Sequence, residues 1–308
     1  MKILLVHNPG SGSAERADRA ALERLIRGAG HEPDYCSCRD EDWRSAVRQP
    51  YDVVAVAGGD GTVTRVAKAM TGSRTPIGVL PLGTANNVAM TLGAAGVPME
   101  ELVAHWQNAS RLRCDVGLVK APWGSARFIE GIGAGLFAWT MPHADVSPTI
   151  ASLDRTDAKV VYALQMLKDR VLHCPARTMR VSLDGRDLSG EYLLFEAMNL
   201  RYVGPNLFLA PKADSGDGCL DIVRVTEADR ERFHAYLSSW QHGWLRPPEL
   251  PCDQGRSLVI EWSDYELHLD DVLWPDPQST TSHGRVEVLM NGESVEFLAP
   301  PAQPAPAA

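Results

Sequence analysis

Asp60 and Thr62 set a carboxylate and a hydroxyl within the stretch Gly58-Gly59-Asp60-Gly61-Thr62, in which three of the five residues are glycine. An apolar run, Val53 to Ala57, precedes it and a helix-compatible segment, Val63 to Met70, follows it. Glycines at a strand-to-helix turn let the backbone approach a ligand closely and adopt positive φ. The N–H groups that open the helix point back at the turn, which suits phosphate. Two further loops have the same character. Asn8-Pro9-Gly10-Ser11-Gly12-Ser13 follows an apolar strand over Lys2 to Val6, and Pro81-Leu82-Gly83-Thr84-Ala85-Asn86-Asn87 follows one over Ile77 to Leu80. Each lies at the C-terminal end of its strand, the edge at which open α/β sheets bind ligands.

A fourth constellation is acidic. In Asp214-Ser215-Gly216-Asp217-Gly218-Cys219-Leu220-Asp221, two carboxylates three residues apart flank a glycine turn just before a strand. They can converge on one cation, with a backbone carbonyl as a further ligand. Competing chemistry finds no support. Ser11 and Ser13 sit among glycines, but there is no G-x-S-x-G elbow, and the nine histidines form no H-x-x-x-H pair with a supporting Glu. A Ser-His-Asp hydrolase is therefore rejected.

Two kinds of segment must position these groups. Residues 1 to about 122 alternate strands with helices. Strand 2–6 leads to a helix over 14–28, a strand near 33–37 to a helix near 41–48, and the strands before Gly58 and Pro81 each lead to a helix. This alternation implies a parallel sheet covered by helices. After a strand near Cys114–Val119 the character changes. Residues 125–140 read as a strand with a glycine-rich end, Phe128 to Phe137, a helix spans Thr156 to Val171, and strands dominate from Thr178 to Leu298. The expected fold is a Rossmann-like parallel α/β/α domain over 1–122, then a β-rich sandwich domain over 123–300 and a flexible Pro/Ala tail over 301–308. One helix, 228–245, interrupts the strands. Phe233, Tyr236, Leu237, Trp240 and Trp244 share one of its faces. That face packs on its own domain or serves as a lid or membrane contact, since Trp favours bilayer interfaces.

Bulk properties narrow the classes. With 308 residues, 44% apolar and 22% charged, the chain is an ordinary globular protein of one or two domains. A net charge of −9 argues against nucleic acid as a partner. The six cysteines show no CxxC pair, and Cys36-x-Cys38 has no second pair at zinc-ligand spacing, so free thiols in a reducing cytoplasm are expected. No 18-residue apolar run occurs, and the apolar start is too short for a signal peptide. The expected location is cytoplasmic and peripheral to a membrane at most.

The three N-terminal loops, in this order and near this spacing, resemble the diacylglycerol kinase catalytic family, which includes bacterial lipid kinases, sphingosine kinases and ceramide kinases and is related to NAD kinases. The Gly-Gly-Asp-Gly-Thr turn is shared with NAD kinases and phosphofructokinases. The Pro-Leu-Gly-Thr-Ala-Asn loop is much more specific to the lipid-kinase branch. The resemblance implies an ATP- and Mg²⁺-dependent kinase acting on a lipid hydroxyl, diacylglycerol-like or sphingoid-like, in a cleft between two domains. Gly58, Gly59, Asp60, Gly61 and Thr62 would surround the ATP phosphates, with Asp60 a catalytic group. Thr84 and Asn86 would contact the nucleotide, Asn8 and Gly12 would shape its cleft, and Ser37 stands where the family has a nucleotide-contacting threonine. Asp214, Asp217 and the Cys219 carbonyl would hold a structural magnesium. The implied partners are a lipid substrate, a membrane surface met transiently, and a second copy of the chain in a homodimer.

Two departures from the family pattern stand out. Asn87 occupies a position where aspartate is frequent. The Asp-Gly-Glu motif whose aspartate acts as base is absent. Asn291-Gly292-Glu293 looks similar, but an amide does not accept a proton as a carboxylate does. Counting back from Pro300 places Asp276 at the base position, with Pro277 and Gln278 completing the motif, and Asp270 and Asp271 as alternatives. An NAD kinase-like enzyme and a catalytically weakened nucleotide-binding regulator are the rival readings. The first lacks the Asn-Glu dipeptide that NAD kinases carry after their third strand.

Overall fold

The computed structural model describes residues 1–11, 18–145, 147–149, 153, 155–240, 248–263, 265–276 and 281–302. Gly12, Trp244, Pro277, Gln278 and residues 303–308 of the tail lie outside the described residues. The chain divides into two compact units, Met1–Cys114 with Ser294–Ala308, and Asp115–Glu293.

In the first unit, β1 (Lys2–His7), β2 (Glu32–Ser37), β3 (Val53–Gly58), β4 (Ile77–Pro81) and β5 (Arg111–Asp115) alternate with α1 (Arg19–Gly28), α2 (Trp43–Ala46), α3 (Asp60–Ala69), α4 (Asn87–Leu92) and α5 (Met99–His105). β1 pairs parallel with β2 and β3, and β3 with β4. Every residue of β3 is buried. Such unbroken apolar runs belong to strands covered on both faces. α1 starts where the Asp18 side chain accepts a hydrogen bond from the Ala20 amide at 3.2 Å, and it buries Leu22 and Ile26, one turn apart.

The second unit holds β6 (Gly117–Ala121), β7 (Gly124–Phe128), β8 (Gly131–Gly135), β9 (Arg177–Leu183), β10 (Arg186–Asp187), β11 (Gly190–Tyr192), β12 (Leu194–Met198), β13 (Tyr202–Val203), β14 (Leu207–Phe208), β15 (Leu220–Val225), β16 (Cys252–Gly255), β17 (Ser257–Ser263), β18 (Leu267–Leu269), β19 (Val272–Leu273) and β20 (His283–Leu289). Among the described residues one sheet runs β10-β9-β17-β20-β6-β7, with β11 also on β9, and another runs β16-β15-β12-β8-β18-β19. Phe128, Met179, Leu258 and Val286 of the first meet Ile132, Phe195, Ile222 and Leu267 of the second in one core. A fully buried phenylalanine such as Phe195 contributes roughly 1.5–3 kcal/mol by leaving water. The opposite face of the second sheet, with Leu194, Met198 and Val223, packs on helices through Leu164, Leu167, Phe233 and Leu237. The unit is thus the expected sandwich, with a helical layer added to one sheet.

Two expectations require correction, and a third is met within the described residues. The boundary falls after Cys114 rather than at 122, because the expected strand 114–119 is two strands, β5 and β6, in different sheets. The closing strand β21 (Ser294–Leu298) does not belong with 123–300. It inserts between β4 and β5 of the first unit, pairing parallel with β4 at Phe297 and Ile77. Val295 and Phe297 are buried there, so the strand buries its apolar side in that sheet. The helix expected over 228–245 spans Arg230–Trp240, with 241–247 outside the described residues. Its Phe233, Tyr236 and Leu237 are core, and Trp240 packs half-buried against them, so these residues are not a free membrane-contacting face. The phenolic oxygen of Tyr236 further accepts a hydrogen bond from the Phe208 amide at 2.9 Å.

Candidate active site

The parallel registers place His7 beside Ser37 and Ala57, and Gly58 beside Pro81. The loops after β1, β2, β3 and β4 therefore leave the sheet at one edge. Strand order β2-β1-β3-β4 reverses direction between β1 and β3, the switch point at which open α/β sheets bind ligands. The loops flanking that point are those of Asn8 and of Gly58–Thr62.

Side chains stitch these loops together. The Asn8 amide donates to Thr62 Oγ1 at 3.1 Å, and its Oδ1 accepts from the Gly10 amide at 3.0 Å. Asp60 is the first residue of α3, and its Oδ1 accepts from the Val88 amide at 3.0 Å in the opening turn of α4. Asn86 lies in the left-handed region at φ 57°, and its side chain grips Gly83 twice, accepting from its amide and donating to its carbonyl, both at 2.9 Å. Ser37 Oγ accepts from the Arg39 amide at 3.1 Å in the turn after β2. Thr84 is exposed and Thr62 buried. Of the residues expected at the nucleotide site, all but Gly12, which is outside the described residues, come to this edge. Asn86 and Ser37 brace their own loops there.

The acidic loop lies in the second unit. Asp214 Oδ1 accepts from the Gly216 amide at 3.0 Å, and Asp217 accepts from the Cys219 amide and from Gln254 Nε2, both at 2.8 Å. Both carboxylates are exposed. Asp214, Asp217 and the Cys219 carbonyl all offer oxygen from one turn, the donor type a hard cation such as Mg²⁺ takes. Asp115, absent from the sequence reading, holds the loop from beneath. It is buried, its carboxylate accepts from the Gly218 amide at 2.7 Å, and its own amide donates to the Ser215 carbonyl at 2.6 Å. Its signal was a lone charge between Cys114 and Val116. Among the described residues, three metal-ligating side chains gather elsewhere, at Cys36, Asp40 and Asp42. Burial, with Asp40 and Asp42 nearby, pushes the Cys36 thiol up to about 11, which keeps it protonated. All six cysteines are free, as expected.

The three carboxylates considered for the base differ in setting. Asp276 and Asp271 are exposed. Asp270 is buried in the turn between β18 and β19 at φ 51°, and its Oδ1 accepts from the amides of Ile129 at 3.0 Å and Glu130 at 2.8 Å. Two amides at one carboxylate oxygen fix its direction.

Comparison with known proteins agrees with this layout. Residues 2–119 match the diacylglycerol kinase catalytic domain, and residues 142–271 match the YegS C-terminal NAD kinase beta sandwich-like domain. A Pseudomonas aeruginosa protein named "Probable lipid kinase YegS-like" is 30% identical over 230 residues, covering 72% of this chain and 71% of its own. The chain belongs to the diacylglycerol kinase catalytic family. A diacylglycerol kinase of Mycobacterium tuberculosis is 25% identical to this family member over 289 residues, 87% of this chain and 88% of the other. A solved diacylglycerol kinase from Bacillus anthracis shares its fold with a TM-score of 0.65 at 20% identity, over 97% of each chain. Among the described residues of the chain, no helix is long and apolar enough to cross a membrane.

Proposed function

We propose that this kinase transfers the γ-phosphoryl group of ATP, with Mg²⁺, to a hydroxyl of a lipid of the diacylglycerol or sphingoid type. The observation that carries the reading is the edge of the first sheet, where Asn8, Gly58–Thr62 and the loop closed by Asn86 meet at the switch point. Phosphoryl transfer asks for positioning and charge neutralisation more than for covalent chemistry. The positive end of α3 and the glycine backbones around Gly59 and Gly83 receive the phosphates. Magnesium, when bound with ATP, neutralises charge on the phosphates. Asp60 and Thr62 are the groups placed to orient it and the nucleotide. The second oxygen set, Asp214, Asp217 and the Cys219 carbonyl, holds a structural divalent ion that stiffens its loop.

The acceptor hydroxyl needs a carboxylate to take its proton. Residue counting favours Asp276, and the geometry favours Asp270. Asp270 is buried and its carboxylate is held by two backbone amides, whereas Asp271 and Asp276 are exposed. We assign the base to Asp270, with Asp276 as the rival. The reading is tested by incubating the purified protein with labelled ATP, Mg²⁺ and extracted membrane lipids. Label should enter a lipid and depend on Asp60. Label in NAD instead, or in no acceptor, overturns it.

A further inference from the structure

The second unit buries an ionisable pair that this scheme does not use. Glu196 on β12 and His268 on β18 are both buried, and His268 Nε2 lies 3.0 Å from each Glu196 carboxylate oxygen. The strands that carry them are not neighbours. β8 runs between them, and its Gly133 is in register with both Glu196 and His268. A Cβ on Gly133 would stand 2.2 Å from the Glu196 carboxylate oxygens, so the pair meets over a residue without a side chain. The surroundings are apolar. Leu194 and Met198 flank Glu196 on the same face of β12, and the Phe137 ring packs edge-on to the His268 ring at 6.5 Å.

The far side of the ring leads to Asp270. His268 Nδ1 is 2.9 Å from the Asp270 carbonyl oxygen. A carbonyl accepts and never donates, so Nδ1 carries a proton. A single further proton between Nε2 and the carboxylate then satisfies both partners. Burial holds the Glu196 carboxyl above its usual range. Burial alone would lower His268, but the Glu196 carboxylate together with the Asp270 carbonyl and carboxylate holds the ring above its ordinary value. The backbone of Asp270 is thus held by the ring while its carboxylate is held by the Ile129 and Glu130 amides. The same segment continues toward the acidic loop. The Asn199 amide donates to the Glu130 carbonyl, and the Asn199 side chain donates to the carbonyls of Ile129 and Asp115.

We propose that Glu196 and His268 are positioning residues for Asp270: Glu196 fixes the ring, the ring fixes the carbonyl of a turn residue in the left-handed region, and the Asp270 carboxylate is thereby presented in one direction. The proposal rests on the reading of Asp270 as the proton acceptor. A buried ion pair is weak evidence of a purely stabilising role, because well-packed apolar residues of similar volume replace such pairs at little loss. An orienting role explains its presence better, in the way that partners of catalytic histidines and ligands set their direction.

The test compares the double variant Glu196→Leu/His268→Phe, which removes both groups without leaving a lone buried charge, with Glu196→Gln, whose amide still donates to Nε2. Two readouts are taken on each full-length protein: hydrogen exchange at the Ile129 and Glu130 amides, and kcat and KM for lipid phosphorylation. The double variant is expected to speed exchange at both amides and lower kcat at least about 10-fold with KM for ATP unchanged. Glu196→Gln should keep amide protection and most of kcat. Unchanged exchange in the folded double variant overturns the proposal whatever turnover does, and so does a Glu196→Gln protein as impaired as the double variant. If the double variant does not fold, Glu196→Leu alone, which leaves a neutral ring with Nε2 unpaired, takes its place under the same criteria. Faster exchange in a protein whose wild type phosphorylates no lipid leaves the positioning intact and sinks the kinase reading instead.

Discussion

Gly59 and Gly83 pass each other backbone to backbone. A Cβ on Gly83 would lie 2.3 Å from the Gly59 Cα, and one on Gly59 would lie 2.9 Å from the Gly83 Cα. The Leu82 amide donates to the Gly58 carbonyl at 2.9 Å beside this crossing. Two loops at the sheet edge are thus packed with no side chain between them. Gly83→Ala must push one backbone away, and backbone yields less readily than a side-chain tip. A loss of roughly 1–3 kcal/mol in stability is expected, with weaker ATP binding. Urea unfolding and titration with a non-hydrolysable ATP analogue check it, and a variant unchanged in both would show that the close packing is idle.

Asp60 separates two roles. Its carboxylate accepts from the Val88 amide, and it is the acidic group of the Gly58–Thr62 turn. Asp60→Asn keeps an oxygen for Val88 and should be near wild type in stability. Asp60→Ala should lose about 1 kcal/mol as well. Both should lose phosphoryl transfer. Near-wild-type turnover in Asp60→Asn removes the carboxylate from the chemistry.

The acidic loop should bind one divalent ion. Binding to the folded state alone raises the melting temperature by linkage. Wild type should therefore gain stability with added Mg²⁺, and Asp214→Asn/Asp217→Asn should not. An equal gain in both proteins, read by thermal unfolding against Mg²⁺ concentration, would falsify the site.

Among the base candidates, Asp270→Asn should lower lipid-kinase turnover at least about 100-fold with little change in ATP affinity. Asp276→Asn should be mild. The reverse pattern would return the role to Asp276 and show that residue counting outperforms geometry at this site.

His7 gives a pH signature. It is buried at the end of β1, and burial lowers its ring below the ordinary value, with Asp18 opposing in part. In the unfolded chain the ring takes a proton near its usual pKa of about 6.5. The unfolded state then binds more protons than the folded one just below that pH, so the His7 contribution is present above it and lost as pH falls through it. Wild type should lose more stability than His7→Leu between pH 7 and pH 5 in urea titrations. Parallel curves would exclude His7 as a source of acid sensitivity.

The phosphate loops were legible because strand, glycine turn and helix lie within a few consecutive residues, so Gly58–Thr62 and Pro81–Asn87 carry their geometry with them. The strands were legible from apolar runs such as Leu220–Val225 for the same reason. What was not legible depends on partners far apart in the chain. β21 reads as a strand, but nothing in Ser294–Leu298 says which sheet takes it. The residues around Asp270 come from β8, β12 and β18, and Gly133 matters only through what it leaves unfilled. Glu196 within Leu193–Met198 and His268 between Leu267 and Leu269 were visible as polar breaks in apolar strands, without any sign that they meet. Asp276 was favoured by a count to Pro300, and a count along the chain does not see that the turn at Asp270 closes a hairpin.

The place of β21 between β4 and β5 has a consequence for biosynthesis. Domains of most growing chains finish in order as they leave the ribosome. Here the unit that holds the glycine loops is begun before the sandwich unit and sealed after it, since its sheet stays open beside β4 until Ser294–Leu298 emerge. A chain halted after Leu92 but before Ser294 carries all three glycine loops and an unpaired strand edge, the kind of edge that recruits other chains. The first unit therefore closes only once the whole of the second has been made.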